Sequence, residues 1–268
     1  MAAPPEVVSA IVGYQDAVRQ VRAQVEAFAT ALWGGLPGYR DEDIDRMVAA
    51  IVPVSLGAQQ RVVALTDSYL SAIAVAAGFP QPPGGTPADE VTGTALRGVE
   101  PAEVYYRAGV TVWTALSQGA SLADAVEQGR NRLLSLLTTD LQLARTRAAH
   151  SSMARDRNVV GYRRILTGGE NCGLCTLAST QRYHKGNLMP IHPGCDCAVA
   201  PIRGDVDPGQ VIDPDRLEAL HEAAAEQLGV SDRGGRAPDY RDIVVREHGE
   251  YGPTLAWRGQ HFTTENDL

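Results

Sequence analysis

Lysine is almost missing from the chain: Lys185 is the only one among 24 basic residues, a bias that reflects arginine-rich coding more than chemistry. Aromatic residues are also few, at 6% of a 268-residue chain that is 44% hydrophobic. The core must therefore be built largely from alanine, valine and leucine, which favours helices packed through small side chains. No apolar run approaches the eighteen or more residues of a membrane span, and the start, MAAPPEVVSA, lacks the charged and hydrophobic regions of a signal peptide. The expectation is a soluble protein without a membrane span, made in a reducing cytosol, and long enough for one or two domains. Cysteine is absent from residues 1–171 and from 198–268.

All four cysteines fall in the stretch Glu170 to Pro201, ENCGLCTLASTQRYHKGNLMPIHPGCDCAVAP. Cys172-x-x-Cys175 is followed after nineteen residues by Cys195-x-Cys197, with His192 three positions before Cys195. A Cys-x-x-Cys turn lets two thiolates converge, and a His/Cys group at the far end of a loop completes a tetrahedron around a borderline-soft ion, so structural zinc is expected. Five donors compete for four places. The preferred set is Cys172, Cys175 and His192 with Cys197 rather than Cys195, and an all-cysteine site that leaves His192 outside is the alternative. Four other readings compete. Disulfides call for an oxidising compartment, a redox Cys-x-x-Cys for a βαβ unit, plain buried thiols for cysteines scattered along the chain, and catalytic zinc for an open position with a nearby base.

Charge is unevenly distributed. Residues 205–268 hold 14 acidic against 6 basic side chains, which accounts for the net charge of −8. Such an acidic tail reads as a solvated or partner-seeking segment. In the opposite sense, residues 129–164 carry eight arginines against Asp140 and Asp156. A solvated helix face is the first reading of that stretch. Contact with nucleic acid or an acidic partner through Arg130, Arg145, Arg147, Arg155, Arg163 and Arg164 is the second.

Periodicity predicts a long first helix from about Pro5 to Trp33, with an a/d seam of Ile11, Tyr14, Val18, Val21, Val25, Phe28 and Leu32 that needs a partner helix from this chain or another subunit. DEDIDRM opens a second helical region, read as two helices or one kinked at Pro53 and Gly57. Residues 79–98, with four prolines and four glycines, are a loop or hinge. A third helix runs from about Pro101 to Gln118. Ser121 with Asp124 resembles a capping box that opens a fourth, extending to about Arg155. NVVGYRRIL and AVAPI are two short strands expected to pair and hold the metal loop between them, whose insert TLASTQRYHKG adds at most a helical turn. A short helix over Asp213 to Leu228, a linker over 231–239, and a hairpin or donated strand in RDIVVREHGEYGPTLAWRGQHF complete the chain. The fold class is α+β, divided as a helical interaction domain (1–157), a zinc-stapled module (158–204) and a short helix, linker and acidic tail (205–268).

No catalytic constellation is complete. His221-Glu222 begins like a zincin helix, but position 225 is alanine. The H-x-E that precedes P-C-x-x-C in zinc deaminases is missing, as are the phosphate-cradling G-x-x-x-x-G-K-[ST] and the G-x-S-x-G elbow. His184, His248 and Glu250 read as surface residues.

A long helical half, then a Cys-x-x-Cys knuckle, a short loop, and His-Pro-x-Cys-x-Cys leading into a strand resembles the Mu F-like minor head proteins of tailed phages. Cys172, Cys175, His192, Pro193, Cys195 and Cys197 carry the resemblance, and the ending EHGEYGP is similar to the tails of such proteins from phages of actinobacteria. The resemblance implies a non-enzymatic minor capsid component, present in few copies, made in the host cytoplasm and placed in the virion near the portal. It would act in head morphogenesis or genome delivery. Its expected partners are the portal, neighbouring head proteins and packaged DNA, with no small-molecule substrate. A zinc-dependent enzyme acting on nucleic acid, with Arg163 and Arg164 as phosphate contacts, and a virion-carried effector are the alternatives.

Overall fold

Val7, Ile11, Tyr14, Val18, Val21 and Val25 recur every three or four residues, and in a computed structural model they form the buried face of helix α1 (Pro5–Gly34). The structure describes residues 5–165, 178–179, 182–187, 197–208, 243–248, 252–257 and 259. Beyond Val25 the expected seam is corrected. Ala29 and Trp33 are the buried positions, while Phe28 is 40% exposed and Leu32 is only partly buried. A heptad seam repeats every 3.5 residues and an α-helix every 3.6, so over three heptads the buried stripe drifts by one position unless the helix supercoils. The seam is thus covered within this chain and does not wait for another subunit.

The second helical region is one helix, α2 (Asp41–Ala76), continuous through Pro53. Pro53 and Gly57 sit on its exposed side, so the lost backbone bond and the absent side chain cost no core packing. By length and composition α2 could also cross a membrane, since an 18-residue window reaches a mean hydropathy of 1.4, contrary to the expectation of no such run. A third of that window, 33%, is buried in the protein, and Ile44, Met47, Ile51, Val62, Leu70 and Ile73 make α2 a core helix.

Residues 79–98 contain two 3-10 turns, Ala88–Glu90 and Gly93–Leu96. Helix α3 (Pro101–Ser117) starts with proline in its first turn, where the missing N–H costs nothing. Helix α4 (Leu122–Arg155) is opened by the expected cap, the Asp124 N–H donating to Ser121 Oγ at 3.2 Å. Residues 136–145 of α4 are all buried, as the central helix of a bundle must be.

Contacts divide the chain into two compact units, and α1, α2 and α4 each supply residues to both. The units do not break at 157 and 204, where composition changes, because helices this long outrun a single core. One unit comprises Asp16–Thr66 and Thr86–Ala148 and holds a cluster built from Trp33, Ile44, Met47, Ile51, Tyr105, Leu133, Leu136, Leu137 and their neighbours. Its helices approach closely at Gly109 and Gly129. A Cβ on Gly129 would stand 2.5 Å from Val112 Cγ2, 2.7 Å from Trp33 Cζ2 and 2.9 Å from the Ala108 carbonyl oxygen. Gly129→Ala is therefore expected to destabilise, because overpacking of about 1–3 kcal/mol outweighs the roughly 1 kcal/mol of helix propensity gained. A urea midpoint that rises in this variant would contradict that packing.

The other unit comprises Met1–Gln15, Asp67–Gly85 and Ala149–Leu268. Its sheet has the order β2-β1-β3, with β1 (Val159–Ile165) central and antiparallel to both β2 (Arg182–Tyr183) and β3 (Ala198–Arg203). The pairing of the two strands flanking the cysteine loop is as expected, and the insert adds β2 and a 3-10 turn, Lys185–Asn187. Gly161 is needed where it stands, since a Cβ there would lie 2.7 Å from the Tyr183 carbonyl oxygen. Tyr14 stacks on Tyr69 at 4.3 Å, and Tyr69 donates its hydroxyl to the Val199 carbonyl at 2.8 Å, tying α1 and α2 to β3. The final run forms the expected hairpin, β4 (Ile243–His248) with β5 (Gly252–Trp257), in register from Ile243↔Trp257 to His248↔Gly252. The short helix at 213–228 and the linker at 231–239 lie outside the described residues.

Candidate functional site

The cysteine loop is closed at its base by sheet register. Ile165 pairs with Ala198, so the chain leaves β1 and re-enters β3 at adjacent positions, with all four cysteines between them. Cys172, Cys175, His192 and Cys195 lie outside the described residues, and Cys197 is the one expected ligand that can be placed. It is buried, 7% exposed, immediately before β3. Arg164 Nη1 donates to its Sγ at 3.7 Å.

Arg164 is itself interior, 2% exposed, and its guanidinium stands 5.3 Å from the centre of the Tyr183 ring, which stacks on Tyr162 at 5.1 Å. Burial works against the Arg164 charge, and Cys197 with Tyr162 and Tyr183 more than offsets it, so the arginine stays cationic. A fixed cation beside a thiol favours the thiolate, the form in which cysteine binds zinc. Among the described residues alone no cluster of three metal-ligating side chains occurs.

Burial pushes the Tyr162 phenol up to about 12, against the opposing pull of Arg164. A raised folded-state value means that folding favours the neutral phenol. This contribution is fully present below about pH 10, where an unfolded tyrosine ionises, and is lost as pH rises through about 12. In a tyrosinate absorbance titration, Tyr162→Phe is expected to remove a late transition. All nine tyrosines titrating together near pH 10 in folded protein would contradict this burial.

Asp156 anchors the other end of the same sheet. Its Oδ1 accepts from the Asn158 N–H at 2.9 Å, ending α4 and turning the chain into β1. Its Oδ2 accepts from Arg203 Nε at 3.0 Å, and both side chains are nearly inaccessible, at 2% and 3% exposure. Arg203 also reaches the Leu70 carbonyl at 3.4 Å, and Lys185 Nζ reaches the Asp156 carbonyl at 3.3 Å.

The six arginines singled out from sequence are engaged locally. Arg145 and Arg164 are interior, so no phosphate reaches them without opening the fold, which corrects their expected role as contacts. Arg147 donates to the Ala95 and Leu96 carbonyls and so holds the 3-10 turn Gly93–Leu96. Arg130 pairs with Glu127 at 2.6 Å, Arg155 donates to Ser151 Oγ at 2.6 Å, and Arg163 grips Asp207 at 2.6 and 3.0 Å. Asp207 also pairs with exposed Arg182 at 2.5 Å.

Sequence reasoning missed the buried network around Asp140. Arg97 Nη2 and Nε lie 2.6 and 2.8 Å from Asp140 Oδ1, and Tyr105 donates to Oδ2 at 2.7 Å. Ser55 meets the Tyr105 hydroxyl at 2.5 Å, Gln59 donates to Ser55 Oγ at 3.0 Å, and the Gly93 N–H donates to Gln59 Oε1 at 2.8 Å. Burial and the neighbouring Asp140 carboxylate raise the Tyr105 phenol well above its ordinary value, keeping it a donor. This network ties the 79–98 segment to α2, α3 and α4. Its only legible trace in the sequence was an aspartate inside an otherwise apolar helical face.

A family model described as VG15 protein matches residues 7–224, a span that takes in nearly all of α1, the whole of α2, α3 and α4, the cysteine loop and its flanking strands. No curated protein and no solved structure matches the chain.

Proposed function

The chain belongs to the VG15 family, a family of phage proteins, and from that membership we propose that it is a Mu F-like minor capsid protein. In this reading it is non-enzymatic, present in few copies, seated near the portal, and active in head morphogenesis or genome delivery. The observation that carries the reading is the extent of the family match, which spans the helical body and the cysteine loop together. Two features are compatible with it: long helices with a buried core, and a small sheet whose strands β1 and β3 flank the cysteine loop. Zinc held by Cys172, Cys175, His192 and Cys195 or Cys197 would supply cross-linking in place of apolar burial.

The docking surface in this reading is not the α1 seam, which is already buried. Nor is residues 1–157 a self-contained arm, since its residues 149–157 belong to the same compact unit as the sheet. Binding should therefore be tested with the full chain. A mass-spectrometric census of purified particles is expected to find it in a few copies per virion, and tagged full-length protein is expected to retain the portal. Its absence from particles, with abundant free protein in infected cells, would overturn the assignment.

A further inference from the structure

An open groove of about 640 Å³ is lined by Tyr39, Arg40, Asp41, Glu42 and Trp113, all within one compact unit. Its aromatic wall is braced from behind. Trp113 Nε1 donates to the Tyr39 carbonyl at 2.6 Å, the Tyr39 ring stands 5.2 Å from Trp33, and Tyr106 meets Trp113 edge-on at 5.7 Å. The facing wall is the first turn of α2. Of its acids, Asp43 is already used, accepting from the Arg40 N–H and pairing with Arg46. Asp41, Glu42 and Asp45 are exposed and have no ion-pair partner among the described residues. The one charge of Arg40 leaves the lining net negative, and Asp45 adds to that. Desolvation, then the charges of Asp41 and Asp45, raise the Tyr106 phenol.

Acids at a helix start complement its dipole, and that alone would explain one or two of them. It does not explain why half-buried Tyr39 and Trp113 faces stand at the same place, open to solvent. Aromatic faces with carboxylates are the chemistry that receives a cation, and a planar guanidinium suits it better than an ammonium because it both stacks and forks to two oxygens. We propose that this groove takes an arginine side chain from a basic segment of a partner protein, the guanidinium stacked on Trp113 or Tyr39 and bonded to Asp41 and Glu42. The net negative charge of the lining, Asp41 and Glu42 against Arg40, favours encounter with such a segment. That the partner is a head protein rests on the function proposed above. The groove chemistry does not.

The test is titration of the full-length chain with a capped Gly-Arg-Gly peptide, following the Trp113 indole N–H by NMR and assigning it with Trp113→Phe. A saturable shift with a dissociation constant on the order of millimolar is expected, absent with the citrulline peptide. Asp41→Asn with Glu42→Gln, both exposed, should weaken binding by about fivefold or more, and Arg40→Gln should strengthen it. No saturable shift, an equal response to citrulline, or unchanged affinity in the double variant overturns the proposal. A lysine peptide binding equally well overturns the guanidinium assignment. Dimerisation abolished by the same double variant would make a second copy the occupant and overturn the partner assignment. Arginine binding by a protein missing from particles would refute its place in the head and leave the groove standing.

Discussion

Protein purified without chelator is expected to carry about one zinc per chain, and Cys172→Ser or Cys175→Ser is expected to lose both the metal and the β2-β1-β3 sheet. The sheet is small, its ends converge on the loop at Ile165↔Ala198, and β2 contributes only two residues. Such a unit has little apolar area of its own, so metal binding free energy, about 10–16 kcal/mol in isolated zinc fingers, becomes folding free energy. The effect should be regional. The large cluster around Trp33, Ile44 and Leu136 lies wholly in the other compact unit, so most helical signal should survive the loss of zinc. Tyr69 and Arg203, which bond from α2 to β3 and from β3 to α2, mark where the damage reaches the helices. Elemental analysis that returns no zinc would sink the metal assignment. Full helix loss in the cysteine variants would show that the two units do not fold separately.

Asp140→Ala is expected to be the most damaging single change in the helical body, at about 3–5 kcal/mol. It removes the shared acceptor of two Arg97 contacts and of the Tyr105 hydroxyl, and Arg97 and Asp140 are just 4% and 5% exposed. Removing one partner leaves a buried charge uncompensated, whereas replacing both with apolar groups of similar size is often neutral. Arg97→Met with Asp140→Leu should therefore recover much of the stability lost by Asp140→Ala. With a typical domain only about 5–15 kcal/mol stable, the single variant should melt far below the parent. Equal loss in the single and double variants would indicate that the network is valued for its geometry rather than its charge balance.

Local chemistry determined much of this protein before any fold was known. Helix starts at Asp41, Pro101 and Ser121 follow from dipole, proline and capping rules that act within one turn. The pairing of NVVGYRRIL with AVAPI and the terminal hairpin follow from strand patterns and turn residues. Tertiary structure decided what those rules cannot reach. A 3.5-residue pattern could not foresee that α1 would shift its buried stripe to Ala29 and Trp33. Eight arginines in one stretch look alike in sequence, and only packing makes Arg164 an interior cation for Cys197, Arg147 a brace for the Gly93–Leu96 turn and Arg163 a grip on Asp207. The partners of Asp140 and Asp156 are 43 and 47 residues away, Arg97 and Arg203, and no local pattern encodes such a pairing. Burial is the physical reason: a side chain's charge, donor or ring acquires a definite role only when the fold removes water from around it and leaves one partner within reach.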